Sequence, residues 1–306
     1  MILIRPKVTI GVCVRNCQDT ISMAIESVMA QDYPHELMEV IFVDDGSEDK
    51  TLSIIKEYAS KMDMRVKIFH HKWRGLGYSR NVVVQNASGE YIIWVDGDII
   101  LPKDHVRKQV KFMDKNPKVG IGKARYGIYE TKSLSAFLEN VTAVIEFSVK
   151  INLLSNYKPL GTGGSIYRIN AIKEVNGFNT DIRGVGEDMD LEFRMTNAGW
   201  MLAVTPALFY EIRRQRWKDL WDEYFWHGLG GRYVLDYMKK SPTILLKIFP
   251  FFAIFALVKS SILAYKMVYK KRVFFLPFHW LFKRIAWLTG FAFSYFEKPR
   301  RGVKYP

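Results

Sequence analysis

At 306 residues, with 49% apolar and 25% charged side chains, the chain has the composition of one large or two modest globular domains, not of a disordered protein. Its two cysteines, Cys13 and Cys17, are too few for a disulfide framework and lack redox or zinc spacing, so a reducing compartment is expected. The formal charge of +14 is concentrated at one end: the last 66 residues hold 12 of the 45 Lys and Arg, one of the 31 acids and 17 of the 44 aromatic residues.

Taken in order, the chain starts with Met-Ile-Leu-Ile-Arg-Pro, which does not read as a signal peptide because Pro6 and Lys7 follow only a few apolar residues. Residues 8–14 are a β-branched run of strand length. Ile21, Ala24, Ile25 and Val28 then recur at helical spacing until Asp32, Tyr33 and Pro34 break the helix. A second strand, residues 40–43, ends at once in Asp44, Asp45, Gly46 and Ser47, and Leu52, Ile55, Tyr58 and Ala59 follow as a helix. Residues 65–70 read as a third strand. A glycine-bearing loop, Trp73 to Gly77, leads into a helix through Asn86 that carries Ser79, Arg80 and Asn81. Residues 91–95 are a fourth strand, and it ends abruptly in Asp96, Gly97 and Asp98. Strands alternating with helices argue for βαβ units and a doubly wound parallel sheet, in which ligands bind at the C-terminal edge of the strands.

Two hard carboxylates there suit Mg²⁺ or Mn²⁺ bound together with substrate phosphates, although a strand ending in an Asp-Gly turn has the same sequence. Ser47 or Asp49 can serve simply as a helix N-cap. Acids at 44, 45, 96 and 98 together repel one another unless a cation or ligand donors compensate them. A nucleotide base and ribose offer such donors to Asp45.

Beyond Asp98, Leu101 and Pro102 start a helix with Val106, Val110 and Met113, and residues 133–152 form a long amphipathic helix with Leu134, Phe137, Leu138, Val141 and Ile145 on one stripe. Leu160-Gly-Thr-Gly-Gly-Ser165 is either a flexible loop or a place where backbone approaches a sugar closely. After Gly184, three acids open a helix carrying Leu191, Phe193 and Met195. The N-terminal helix dipole favours Glu187, Asp188 and Asp190, and a carboxylate near a metal–nucleotide site can also act as a general base. Trp217, Leu220, Trp221, Tyr224 and Phe225 share one face of a further helix, suited to packing or to a membrane.

Asn16, Ile25-Glu-Ser-Val28, Gln31 and Tyr33-Pro34 resemble the N-terminal pattern of family 2 glycosyltransferases of the GT-A fold. The resemblance extends in order through Val43-Asp-Asp-Gly-Ser47, Gly75 with Ser79-Arg-Asn81, Asp96-Gly-Asp98, Gly163-Gly-Ser165 with Arg168, Gly177-Phe178 and Gly186-Glu-Asp188, covering residues 7–205. Single elements are weak signals; the ordered set is specific. It implies a Rossmann-like α/β domain with a mostly parallel sheet flanked by helices. It also implies inverting transfer from a nucleotide-sugar donor (a UDP- or GDP-sugar) with Mn²⁺ or Mg²⁺. Asp98 then matches the main metal-binding acid, with Asp96 secondary, beside ribose and diphosphate. Asp45 matches the base contact, and Asp44, Asn16, Arg80, Gly163 and Gly164 join the donor side. Asp188 matches the catalytic base, with Glu187 beside it.

Two departures are visible. The stretch Phe209-Tyr-Glu-Ile-Arg213 lacks the His that many relatives carry there, so an expected third metal ligand is missing. Arg213, not Gln, stands three residues before Arg216 and Trp217, so processivity is not expected.

The domain assignment is residues 1–210 for the transferase, 211–240 for an amphipathic linking helix, and 241–306 for a helical, aromatic and basic membrane-associating region. Its apolar runs are interrupted by lysines and fall short of the roughly 20 residues of a span, which favours helices lying at the cytoplasmic face of the membrane. No nucleic-acid motif accompanies the charge, so nucleic acid is not an expected partner. The expected acceptor is a hydroxyl of a lipid-linked or cell-envelope glycan. The alternatives are a polyprenyl (dolichyl)-phosphate glycosyl synthase and a non-catalytic GT-A-like binding protein.

Overall fold

The computed structural model describes residues 6–152, 160–182, 185–238 and 253–296. The four apolar runs form strands β1 (Val8–Val14), β2 (Met38–Asp44), β3 (Arg65–His70) and β4 (Tyr91–Trp94). β1 pairs in parallel with both β2 and β4, and β2 with β3. Parallel neighbours require crossovers, supplied by α1 (Ile21–Met29), α2 (Thr51–Ala59) and α3 (Leu76–Asn86). Every residue of β1, β2 and β4 is buried, so these strands read as continuous apolar runs.

The sheet continues through β5 (Ile99–Ile100), β6 (Val119–Tyr126), β7 (Ser165–Arg168) and β8 (Met201–Glu211), in the order β3-β2-β1-β4-β7-β6-β8-β5. β7 runs antiparallel to both β4 and β6. This reversal positions the site. The start of β7, and the loop before it, lie at the same edge as the C-terminal end of β4.

Alternation sends successive side chains to opposite faces of the sheet. Val8, Ile10, Val12 and Val14 pack with Ile21 and Ile25 of α1 and Ile55 of α2. Ile41, Val43 and Trp94 face the other way, against Val83 of α3 and Leu191 and Met195 of α7 (Glu187–Asn197). Each such aliphatic side chain contributes roughly 1.5–3 kcal/mol by burial. Gly11 makes room for Trp94: a Cβ there would lie 2.8 Å from the indole.

Some elements differ from the sequence expectation. Residues 119–126 carry no strand signal because Gly120 and Gly122 dilute the apolar alternation, yet added Cβ atoms there would press on Trp200 and on Thr205 at 2.9 and 2.7 Å. Phe193, one of the apolar residues from which α7 was expected, is 41% exposed, since the covered face follows Leu191 and Met195 at helical spacing. Cys13 is buried, and burial pushes the Cys17 thiol up to about 12, so neither is a reactive thiolate at neutral pH.

The chain divides into two compact units: Met1–Gly127 with Lys150–Ile212, and Ile128–Val149 with Arg213–Pro306. This differs from a boundary at residue 210. Most of α5 (Leu134–Asn152) joins the second unit because Phe137, Leu138, Val141 and Ile145 pack with Ala264, Val273 and Leu276.

In that unit α8 (Trp217–Met238), α9 (Ala253–Val268) and α10 (Leu276–Phe296) surround a small core. The aromatic stripe of α8 packs on α10, with Trp217 edge-on to Phe278 and Phe282, and Trp221 to Phe282. Gly228 and Gly290 allow this approach, since a side chain at either would collide with the facing backbone. Buried Glu139 is held by Lys283 at 2.5 Å, His279 at 3.1 Å and the Tyr224 hydroxyl at 3.1 Å. Burial opposes its charge, but Lys283 and His279 outweigh that and hold the carboxyl well below the usual range. Among the described residues no helix is long and apolar enough to cross a membrane. Residues 241–252 and 297–306 of the expected membrane-associating region, and Gly184, lie outside the described residues.

Candidate active site

The parallel strands deliver their C-terminal ends to one edge, and the acids read from the sequence arrive there on short loops. The first cluster follows β2. Asp44 is fully buried; its Oδ1 accepts the N–H groups of Gly46 (3.1 Å) and Ser47 (2.9 Å) and meets His70 Nδ1 at 3.0 Å. These contacts close a turn in which Gly46 adopts a φ of +75°. Asp44 therefore sits beneath the site as the frame of the turn rather than on its surface. Asp45 is 4% exposed, and its two oxygens accept the N–H groups of Arg74 (2.7 Å) and Gly75 (2.9 Å). Burial pushes its pKa up, and those two N–H groups oppose the shift. Asn16 ties the loop after β1 to this turn: its N–H donates to Ser47 Oγ at 2.9 Å and its Oδ1 accepts from Glu48 N–H at 2.9 Å.

The second cluster follows β4. Ile99 N–H donates to the Asp96 carbonyl at 3.0 Å, and Ile212 N–H to that of Asp98 at 2.8 Å, so the Asp96–Asp98 turn is anchored through its backbone. A Cβ at Gly97 would lie 2.6 Å from Cys17 Sγ, which accounts for the glycine between the acids. The Asp96 side chain is 39% exposed, with Arg80 3.7 Å from its Oδ1. Arg80, itself 3% exposed, pairs with Glu187 and donates to Thr162 Oγ1 at 2.7 Å. Its guanidinium also lies over the rings of Phe178 and Trp94, at 5.6 and 5.9 Å.

The third element is the first turn of α7, entered through Gly186 at a φ of +118°. Glu187, Asp188 and Asp190 all lie in that turn, where the helix dipole favours them. Their environments separate them. Asp190 turns to Arg194 at 2.6 Å. Glu187 is buried against Arg80; burial pushes it up to about 7, against the pull of the guanidinium. Asp188 is partly exposed, its Oδ1 accepting Met189 N–H at 2.8 Å.

The glycine-rich segment before β7 sets one glycine against Asp96 and another against Asp188. A Cβ at Gly163 would lie 3.2 Å from Asp96 Oδ2, and one at Gly161 3.6 Å from Asp188 Oδ2. Gly164 packs on Phe209, donates its N–H to the Trp94 carbonyl at 3.0 Å and accepts from Gln109 at 2.9 Å. Arg80, Asp96, Gly163, Glu187 and Asp188 thus meet around one loop, while Asn16, Asp44 and Asp45 form a separate hydrogen-bonded frame. Two buried side chains at the loop, Lys123 and Glu192, belong to no sequence motif; a lone Lys in a strand and a Glu in mid-helix have no sequence signal of their own. Among the described residues no three His, Cys, Asp or Glu side chains are grouped so as to hold a metal ion by themselves.

The model of Glycosyl transferase family 2 matches residues 9–175, more than half of the chain. The putative glycosyltransferase EpsE of Bacillus subtilis (strain 168) is 28% identical over 216 residues, 68% of this chain and 73% of that protein. The poly(ribitol-phosphate) beta-N-acetylglucosaminyltransferase TarS of Staphylococcus aureus is 33% identical over 101 residues, which span only 18% of TarS. Among solved structures, the mannosyltransferase PcManGT of Pyrobaculum calidifontis, in complex with GDP-Man and Mn²⁺, superposes with a TM-score of 0.66 at 18% identity, covering 96% of this chain and 88% of that one. TarS 1–349 in complex with UDP-GlcNAc gives 0.51 at 18% identity, covering 96% and 93%. At these identities the structural likeness establishes the fold.

Proposed function

Because the chain belongs to glycosyl transferase family 2, and is a glycosyltransferase, we propose that it performs an inverting, metal-dependent transfer from a UDP- or GDP-sugar to a hydroxyl of a lipid-linked or cell-envelope glycan. The observation that carries this reading is the pair of partly exposed acids set against one loop, Asp96 beside Gly163 and Asp188 beside Gly161. A donor diphosphate beside Asp96 and an acceptor hydroxyl beside Asp188 then flank a common space. The printed complexes of the neighbours, UDP-GlcNAc for TarS and GDP-Man with Mn²⁺ for PcManGT, support a nucleotide-sugar donor.

Asp98 and Asp96 offer hard oxygen donors at the sheet edge, a set that fits Mn²⁺ or Mg²⁺ completed by the donor's own diphosphate and water. When bound, the ion supplies neutralising charge for the departing nucleoside diphosphate. The protein's own groups do the rest. Asp45, its backbone contacts made, accepts from the base with its remaining lone pairs. The Arg80 guanidinium lies 3.7 Å from Asp96 Oδ1 and adds a fixed positive charge beside the diphosphate. Asp188 takes the acceptor proton as the hydroxyl attacks the anomeric carbon, and the C–O bond to the diphosphate breaks in the same displacement.

The test is a screen of UDP- and GDP-sugars for Mn²⁺-dependent hydrolysis and transfer; no turnover with any of them would overturn the reading. Asp98→Ala is expected to weaken nucleotide binding in Mn²⁺ at least tenfold by calorimetry and to leave metal-free binding unchanged. Metal-dependent activity that survives this substitution would remove Asp98 from the ligand set.

We propose in addition that the second unit lies against a membrane. In the second unit Ile262, Leu263, Phe274, Phe275 and Phe278 are exposed together with Lys266, Lys270, Lys271 and Arg272. Exposed apolar side chains interleaved in sequence with cations suit the anionic cytoplasmic face of a membrane. Replacing Phe274, Phe275 and Phe278 by Ser in the full chain is expected to lower co-sedimentation with phosphatidylserine vesicles severalfold; unchanged binding would contradict a membrane role for this face.

A further inference from the structure

The loop of residues 160–164 is gripped at both of its polarities by charged side chains that have no contact with bulk water. Glu192, on the second turn of α7, is fully buried and splits its carboxylate between two N–H donors, Leu160 at 2.8 Å and Gly161 at 2.7 Å. Lys123, on β6, is 1% exposed and donates from Nζ to the carbonyl of Gly163 and, at 3.4 Å, to that of Gly161. The register explains the reach: Lys123 pairs with Ser165, the residue that follows the loop. The rings of Phe209 and Tyr126 line the ammonium at 4.8 and 5.2 Å, so it has no route to solvent.

A buried ion is costly unless its hydrogen bonds are made, and losing one partner leaves the other uncompensated. Residues that only filled the core would serve better as aliphatic side chains. What this pair adds is a directional hold on both the donors and the acceptors of one loop. That loop places Gly161 against Asp188, Thr162 on Arg80 and Gly163 against Asp96.

We infer that Lys123 and Glu192 are positioning residues for sugar transfer, clamping the 160–164 loop so that the donor-side acid and the base keep a fixed separation. The inference rests on the proposed roles of Asp96 and Asp188. Displacements on the order of 1 Å at such a site cost about 100-fold in rate. Electrostatics agree with the geometry. Burial pushes Lys123 down to about 8 and Glu192 up to about 7, and among the charges opposing loss of the Lys123 proton are Glu192, Asp96 and Asp188. The ammonium therefore lies within electrostatic range of both reacting acids.

The test compares Lys123→Met, Glu192→Gln and Glu192→Leu in the full chain, by kcat and donor KM and by hydrogen exchange of a peptide covering residues 160–168. All three are expected to speed exchange in that peptide but not in residues 38–47. They should lower kcat about 10- to 100-fold with donor KM changed less than threefold. Glu192→Gln, which keeps one accepting oxygen, loses less than Glu192→Leu and remains folded if Lys123→Met does not. Faster loop exchange with unchanged kcat would reduce the pair to a structural role, and unchanged exchange in folded Glu192→Gln would refute the clamp. Absence of nucleotide-sugar turnover in the unsubstituted chain is a different result, and it counts against the functional reading itself.

Discussion

Asp188→Asn is expected to lower transfer by 10²- to 10⁴-fold, the range for a general base, while nucleotide binding in Mn²⁺ stays within a factor of three. The substitution preserves shape, and the amide oxygen can still accept the Met189 N–H that now meets Oδ1 at 2.8 Å. The oxygen facing Gly161 is replaced by a nitrogen that cannot take a proton. Transfer rates and calorimetry on the same preparation separate the two effects. Lost nucleotide binding would move Asp188 to the donor side. Full activity would point to an acceptor that arrives already ionised, such as a lipid phosphate, which needs no base.

Arg80→Met is expected to destabilise the first unit by about 3–5 kcal/mol, the usual cost of breaking a buried ion pair. The guanidinium is held on three sides, by Glu187, by Thr162 and, at 3.7 Å, by Asp96. Methionine keeps much of the packing volume between Phe178 and Trp94 but leaves Glu187 buried without a counter-charge. The effect has a sign in pH. Burial already raises the folded Glu187 pKa to about 7, above the unfolded value of 4.5, and removing Arg80 raises it further. Below the unfolded value the carboxyl is neutral in both states, so the penalty is small. As pH rises through the window above 4.5 the unfolded chain releases its proton and the folded one resists, and the penalty grows. Urea denaturation should therefore show a larger loss at pH 8 than at pH 5, and Arg80→Met with Glu187→Gln should recover much of it. Equal losses at both pH values would show that packing, not charge, dominates at Arg80.

Much of the fold was legible because its determinants are local. Residues 8–14, 38–44 and 91–94 are strands because each is a short β-branched run closed by a turn, and parallel burial removes any polar alternation. Asp96 and Asp98 had to fall at the end of a strand, since carboxylates cannot continue a buried one. The acids opening α7 follow from the helix dipole in the same way. β6 was not legible, since its glycines answer to Trp200 and Thr205, about 80 positions away in sequence.

From sequence alone came the order of the acids, the edge they occupy and the family pattern they form. Which partners each acid takes, and how far it is buried, was decided by tertiary structure. Asp44 and Asp45 look equivalent in sequence, but the fold turns one into the frame of its own turn and ties the other to the backbone of Arg74 and Gly75. Glu187 and Asp188 are adjacent, yet the rotation of about 100° between neighbours on a helix points Glu187 at Arg80, 107 positions earlier, and leaves Asp188 partly exposed beside Gly161. Lys123 and Glu192 became visible only when β7 reversed direction and brought the 160–164 loop between β6 and α7. The physical reason is common to all three cases. Periodicity and the ends of strands and helices are encoded by neighbours in sequence, whereas the burial of a charge is set by hydrogen-bond partners that only the folded sheet brings within about 3 Å.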